Sequence, residues 1–376
     1  MSAGYAGERA FAPFSELSLQ TEPHSKSSES ELPSRIELAR PDDWHVHLRD
    51  GSMLTRVLPY TARSFARAIV MPNLERPVTT TKSAEAYAAR IRERRPPESD
   101  FEPLMTLYLT ESMVPEEIER AAASPDVFAV KLYPKGATTH SDAGVGGIDS
   151  LAPVLDAMER LDVPLLIHGE ATDPDTDVFD REQVFLERSL RPMLDRHAGL
   201  RVVFEHITTA EAVAFVEGSP ARVAATITPQ HLLYNRNAIF EGGLRPHHYC
   251  LPVLKRERDR QALLRAATSG DPSFFLGTDS APHVRSAKES SCGCAGIFSA
   301  PVAIEAYAEA FAEVFALDRL EGFASHHGAD FYGLPRNLER IVLDRADWLA
   351  PERLEEGDDA LAIFWGGKRL RYRARL

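Results

Sequence analysis

Residues able to ligate a metal or move a proton sit near the ends of short apolar runs. They are His45 and His47 in "DDWHVHLRD", Lys131 in "VFAVKLYP", His168 in "VPLLIHGE", His206 in "RVVFEHIT" and Asp279 in "SFFLGTDS". Side chains two apart on a strand share a face, so His45 and His47 point the same way, with Val46 and Leu48 opposite. Four imidazoles and a carboxylate suit a borderline divalent metal such as zinc. Taken singly, a strand-end histidine is ordinarily a hydrogen-bonded structural residue. Their joint occurrence at matching places argues for a shared centre. The "CGC" at 292–294 has one intervening residue and no second cysteine pair, so it reads as a loop. His24, His140, His197, His231, His247, His248, His326 and His327 are assigned surface or hydrogen-bonding roles.

Lys131 is the most informative single residue. The chain strongly prefers arginine, yet a lysine stands in an apolar run that calls for burial. An ion pair or a snorkelling side chain is the plain explanation for such a lysine taken alone. Burial beside cations favours the neutral amine, which can add carbon dioxide to give an anionic carbamate with two oxygens for two metal ions. Arginine could not substitute, because it does not lose its proton in proteins.

Donors from separate segments need an architecture that brings them to one place. Eight apolar runs recur, the five above plus "RAIVMPN", "PLMTLYLT" and "RVAATITPQ". Most are near-continuous, as parallel strands buried on both faces require. Helical patterns lie between several of them: "SAEAYAARIRER", "SLAPVLDAMERL" and "TAEAVAFVEG". This alternation predicts a (β/α)8 TIM barrel, whose strand ends converge on one mouth. A doubly wound open sheet is the main rival; no glycine-rich phosphate loop follows the first strand.

Composition bounds the rest. With 376 residues, 44% hydrophobic, the chain can bury a large core. A net charge of −13 argues against a nucleic-acid partner. No run approaches a membrane span, and the start shows no basic, then apolar, secretory pattern. Three cysteines are too few for a disulfide framework, which fits a cytoplasmic protein. Residues 1–34 include the Ser-, Glu- and Pro-rich "TEPHSKSSESELPS" and read as an N-terminal extension, with a single domain over residues 35–376.

Longer motifs carry a resemblance. "RPDDWHVHLRDG", "AIVMPNL", "KLYPKGATT", "VVFEHITT", "ATITPQHLLYNRN", "HYCLPVLK" and "GTDSAPHVRSAKESSCGCAGIFSAP" resemble the dihydroorotases, more narrowly their shorter bacterial type, within the amidohydrolase superfamily. The resemblance runs from about Arg40 to about Leu334. It implies a cytoplasmic homodimer that interconverts N-carbamoyl-L-aspartate and L-dihydroorotate at two zinc ions per subunit. His45, His47 and Asp279 would hold one zinc and His168 and His206 the other, with N6-carboxylated Lys131 bridging both. Asp279 would also shuttle the proton. Arg49, two positions after His47, can grip the substrate carboxylate in a bidentate pair, and the resemblance adds Asn73 and His283 to that grip. Leu251 and Ala295 would contact the pyrimidine ring through their backbone. Thr138 and Thr139, in the segment 134–147, match a lid that closes on substrate; Lys135-Gly136 and the added glycines depart from that pattern.

Other readings stay open on sequence alone. A hydantoinase or allantoinase would not need Arg49, Asn73 and His283 together. A metal-free homologue serving as a binding partner would be expected to lack ligands. A mononuclear deaminase gives a bridging lysine no purpose.

Overall fold

The computed structural model describes residues 32–355 and 357–375; most of the expected extension, residues 1–31 with His24, lies outside them. From Pro33 onward the chain forms one compact unit. It opens with β1 (Arg35–Ala39) and then enters eight parallel strands: β2 (Asp43–Val46), β3 (Arg67–Val70), β4 (Glu102–Tyr108), β5 (Val127–Leu132), β6 (Leu165–Ile167), β7 (Val202–Phe204), β8 (Val223–Ile227) and β9 (Phe274–Leu276). Neighbours in the sheet are neighbours in sequence, β2 through β9. The strand order never reverses, as it would in a doubly wound sheet.

The seam between β9 and β2 is closed at its C-terminal end. The Asp279 N–H donates to the His45 carbonyl at 2.8 Å, and the His47 N–H to the Ser280 carbonyl at 3.1 Å. Asp43 reinforces the seam, accepting from the Thr278 N–H at 2.9 Å and its hydroxyl at 2.6 Å. Three of the candidate residues are therefore fixed by the hydrogen bonds that close the barrel.

The alternation of strand side chains sets what fills the interior. Leu104, Ala129, Leu166, Val203, Ala224 and Phe275 belong to one apolar cluster. Two residues further along each strand, and hence on the same face, stand Thr106, Lys131, His168, Glu205, Thr226 and Gly277, all buried. The apolar layer packs the barrel, and Trp44 stacks on Tyr332 beside it, with ring centroids 4.7 Å apart. The polar layer above it faces the mouth.

Helices follow the strands where their signals lie. The helix Gly51–Ser64 is capped by Asp50, whose carboxylate accepts from the Gly51 N–H at 2.8 Å. Thr80 and Ser83 cap each other's backbone at the start of Thr81–Arg94. The predicted patterns at 150–161 and 209–218 correspond to Ala152–Leu161 and Ala210–Glu217.

The region beyond Arg336, where the sequence carried no recognisable motif, returns to the start of the chain. β10 (Arg340–Leu349) pairs with β1 and, after a short antiparallel pair β11 (Arg353–Leu354) and β12 (Leu361–Ala362), with β13 (Arg369–Arg375). This small antiparallel sheet is sewn to the barrel by the helix Ala303–Glu313. Glu309 accepts from the Arg371 backbone N–H, and Glu305 from that of Ala374.

Candidate metal centre and active site

The C-terminal ends of β2, β5, β6, β7 and β9 carry the candidate donors to one mouth. His45 and His47 leave β2 on one face, their ring centroids 5.4 Å apart. His206 lies 5.0 Å from His45 and 4.8 Å from His168, again between centroids. Asp279 Oδ1 is 3.4 Å from His45 Nε2 and 3.1 Å from His47 Nε2. The ligating atoms of His45, His47 and Asp279 all fall within 4.8 Å of one another.

Two of these residues reach the mouth through backbone strain. Strict alternation would send His206 away from the face that Glu205 occupies. His206 instead takes φ +40°, just past the end of β7, and Asp279 takes φ +45° just past β9. The left-handed region is costly for residues with a Cβ. Here the cost turns both side chains inward, and Glu205 and His206 share the site although adjacent in sequence.

Carboxylates orient the rings. Glu205 accepts from His45 Nδ1 at 2.7 Å, and Glu170 sits 2.8 Å from His168 Nε2. Each pair leaves the other ring nitrogen for the centre, the arrangement that fixes a metal-ligating imidazole. The Thr226 hydroxyl donates to Glu205 at 2.6 Å and accepts from the His206 backbone N–H at 2.7 Å, so one network ties three strand ends together. Gly277 makes room: a Cβ there would stand 2.7 Å from Thr226 Cβ and 3.1 Å from His45 Cβ. Sequence reading passed over Glu170, Glu205 and Gly277, although "HGE", "FEH" and "LGTD" displayed them beside the donors.

Electrostatics favour ligation. Burial lowers the pKa of His45, His47 and His206, which keeps the rings neutral and their lone pairs free. Burial also lowers the Lys131 amine to about 8, against the pull of Glu205 and Asp279. Burial raises Asp279, while nearby His45 and Lys131 hold it down in part. Lys131 Nζ and His206 Nδ1 are buried with no hydrogen-bond partner. A buried polar atom left so is costly unless something absent from the protein satisfies it. The donor set and these orphaned nitrogens fit divalent metal.

The remaining candidates surround the donors. A cavity of about 20 Å³ is lined by His45, His47, His168, His206 and Asp279 together with Arg49, Asn73, Thr138, Thr139, Leu251 and Ala295. Lys131 and His283 stand behind that wall: Lys131 Nζ is 5.2 Å from the Tyr133 ring centroid, and His283 Nε2 is 3.0 Å from Arg49 Nη2. Arg49 takes φ +57°, and its carbonyl accepts from the buried Tyr87 hydroxyl. Asn73 Nδ2 donates to the Thr139 carbonyl at 3.2 Å, tethering the segment 134–147 over the mouth. That segment folds back on β5 through Lys135 N–H to the Val145 carbonyl at 3.0 Å and Val145 N–H to the Tyr133 carbonyl at 2.9 Å. Cys292 and Cys294 lie in a loop and are free, and His231 is spent on Thr228 and Pro252. A wider cleft of about 890 Å³ among Tyr234, Arg245 and Trp365 carries none of the donors.

The chain is similar to known proteins. Residues 42–343 match the profile of the amidohydrolase family. A dihydroorotase of Nitrosococcus oceani is 60% identical over 338 residues, covering 90% of this chain and 98% of that protein. One of Nitrosomonas europaea is 61% identical over 341 residues, with the same coverage. Among solved structures, the Saccharomyces cerevisiae dihydroorotase in complex with 5-fluoroorotic acid superposes with a TM-score of 0.83 at 33% identity, covering 91% of this chain and 99% of that one. An Arthrobacter aurescens L-hydantoinase, at 16% identity and a TM-score of 0.73, shares the fold.

Proposed function

Because the chain belongs to the amidohydrolase family and, within it, to the dihydroorotases, we propose that it catalyses the reversible closure of N-carbamoyl-L-aspartate to L-dihydroorotate with loss of water, in pyrimidine biosynthesis. The observation that carries this reading is the joining of two sets in one cavity. Metal donors line one side, and Arg49 and Asn73, with His283 behind Arg49, stand beside them. A hydantoin lacks the ring carboxylate that the Arg49 guanidinium would recognise.

His45, His47 and Asp279 would hold one zinc ion, His168 and His206 the second, and Lys131 as its Nζ carbamate would bridge them. Bound there, the metals would acidify a water and polarise the ring amide carbonyl. Around them, Arg49 supplies the fixed charge for the substrate carboxylate. Its Nε–H donates to the Pro282 carbonyl and its Nη2 packs 3.0 Å from His283 Nε2, which leaves other N–H groups for a bidentate grip. Burial, with Arg49 beside it, lowers His283 to about 2, so this ring is neutral and adds no second cation. Asn73 would join the same carboxylate, and the backbone of Leu251 and Ala295 would face the ring edge.

Asp279 moves the proton. In hydrolysis it begins ionised, takes a proton from the attacking water as the new C–O bond forms, and delivers it to the ring nitrogen as the C–N bond breaks. In ring closure it begins protonated and gives that proton to the departing oxygen.

A cavity of about 20 Å³ holds little more than a water molecule. Outward movement of the segment 134–147, with Thr138 and Thr139, would admit a six-membered ring, and its return would exclude solvent. No helix among the described residues is long and apolar enough to cross a membrane. The enzyme would act in the cytoplasm as a homodimer, as its resemblance implies. The decisive experiment follows dihydroorotate consumption by ultraviolet absorbance, with and without a chelator. Turnover that chelation abolishes and zinc restores is expected. Absence of turnover in zinc-loaded protein would overturn the reading.

A further inference from the structure

Lys288 ends the short helix Arg285–Lys288 and is 3% exposed. Its ammonium donates to three backbone carbonyls, those of Tyr249, Cys294 and Gly296, each at 2.8 Å. Those contacts use all three N–H groups of a lysine. Burial lowers its pKa to about 8, so holding the charge here costs stability. The three carbonyls belong to two irregular loops that otherwise meet through the Gly296 N–H, which donates to the Tyr249 carbonyl at 3.1 Å. Both loops end in the site: Leu251 follows Tyr249 by two, and Ala295 lies between the other two acceptors.

The directions of these carbonyls matter. Cys294 and Gly296 aim theirs at Lys288, while the Ala295 carbonyl, one residue from each, faces the other way and meets His283 Nε2 at 3.1 Å. The same His283 nitrogen is 3.0 Å from Arg49 Nη2. The loop has little freedom to relax, since a Cβ on Gly296 would stand 2.5 Å from the Ala281 carbonyl oxygen and 2.9 Å from His283 Cδ2.

We propose that Lys288 is a positioning residue, whose three-carbonyl clamp fixes the Ala295 backbone against His283 and so sets the geometry of the Arg49 carboxylate grip. This rests on the carboxylate-binding role given above to Arg49 and His283. Arginine could not take its place, because a planar fork does not converge its donors on three carbonyls around one atom. The Lys288 ammonium bonds backbone carbonyls and none of the metal donors, so its loss should act on substrate binding before it acts on the metals.

The test compares wild type with Lys288→Met and Lys288→Gln, each zinc-loaded and checked for native circular dichroism. The KM for dihydroorotate should rise about tenfold or more in the methionine variant with kcat little changed, the signature of lost binding. Glutamine, with two N–H donors, should fall between. Zinc content should match wild type. An unchanged KM in a folded variant, or loss of zinc with a parallel fall in kcat, overturns the proposal. Amide hydrogen exchange supplies an arm independent of catalysis: the Gly296 N–H should be protected in wild type and exchange faster in the variants. Rapid exchange in wild type overturns the clamp even if no variant folds. If wild type fails to consume dihydroorotate, the functional reading falls, and exchange still decides the clamp.

Discussion

Replacing Arg49 by methionine removes the fixed cation while keeping much of the side chain's length. The structure sets what should be lost. Arg49 lies on the cavity wall, with its carbonyl held by Tyr87 and its guanidinium braced by the Pro282 carbonyl and His283. The guanidinium is therefore pre-oriented, and little binding energy is spent ordering it. Truncating one partner of a desolvated charge pair costs about 2–5 kcal/mol. At about 1.4 kcal/mol per decade, kcat/KM should fall roughly 30- to 4,000-fold. The ligands on β2 and β9 do not depend on the guanidinium, so the zinc content should stay at the wild-type value. The assay measures initial rates of dihydroorotate consumption across substrate concentration, with metal analysis of the same preparations. Tyr87→Phe, which releases the Arg49 carbonyl but keeps the charge, should show a smaller loss of the same kind. An Arg49→Met protein that loses zinc yet keeps its KM would refute the reasoning, since the arginine would then support the metal centre and not the substrate.

Lys131→Ala should lose most activity, and short carboxylic acids added to it should restore part by supplying an anionic bridge; full activity without additive would remove that role. Asp279→Asn should suppress hydrolysis and ring closure together, whereas a variant impaired in one direction alone would exclude proton shuttling by this group. Ring opening releases a proton, so wild-type equilibrium mixtures should shift toward N-carbamoyl-L-aspartate as pH rises, as read by chromatography. Gly277→Ala should be destabilised by about 1–3 kcal/mol in urea unfolding and should bind less zinc, because its methyl group meets Thr226 and His45. Burial lowers Lys288 from 10.5 to about 8, against the opposing pull of the Cys250 and Cys294 thiols. Between those values the unfolded chain holds a proton that the folded chain has released, so this group makes stability rise with pH there. The wild type should therefore gain up to about 1.4 kcal/mol per pH unit over Lys288→Met between pH 8 and 10.5, and parallel unfolding curves would contradict it.

The barrel and the strand ends that carry most of its candidate donors were legible in the chain itself. All eight apolar runs correspond to the barrel strands, because parallel strands buried on both faces must be apolar nearly throughout. Against such runs a histidine or lysine at a strand end stands out, and the period of two placed His45 with His47. The same rule leads astray at β7. There it separates Glu205 from His206, and a positive φ brings both into the site. The oriented carboxylates were less visible, since a glutamate next to a histidine looks the same whether it reaches the ring or the solvent. The sheet formed by β1, β10 and β13 was not readable, because β1 pairs with β10 about three hundred positions away.

By itself, then, the order of residues determined the alternation of elements, the donor types and the end of each strand that carries them. These are local properties, set by side-chain period and by what each residue can ligate. Tertiary structure decided which nitrogens point inward, which carboxylates hold them, and how Lys288 joins Tyr249 to Cys294 and Gly296. Those outcomes depend on barrel closure. Asp279 meets His45 across a seam of more than two hundred residues, and no local pattern specifies a hydrogen bond that exists once β9 has come round to β2.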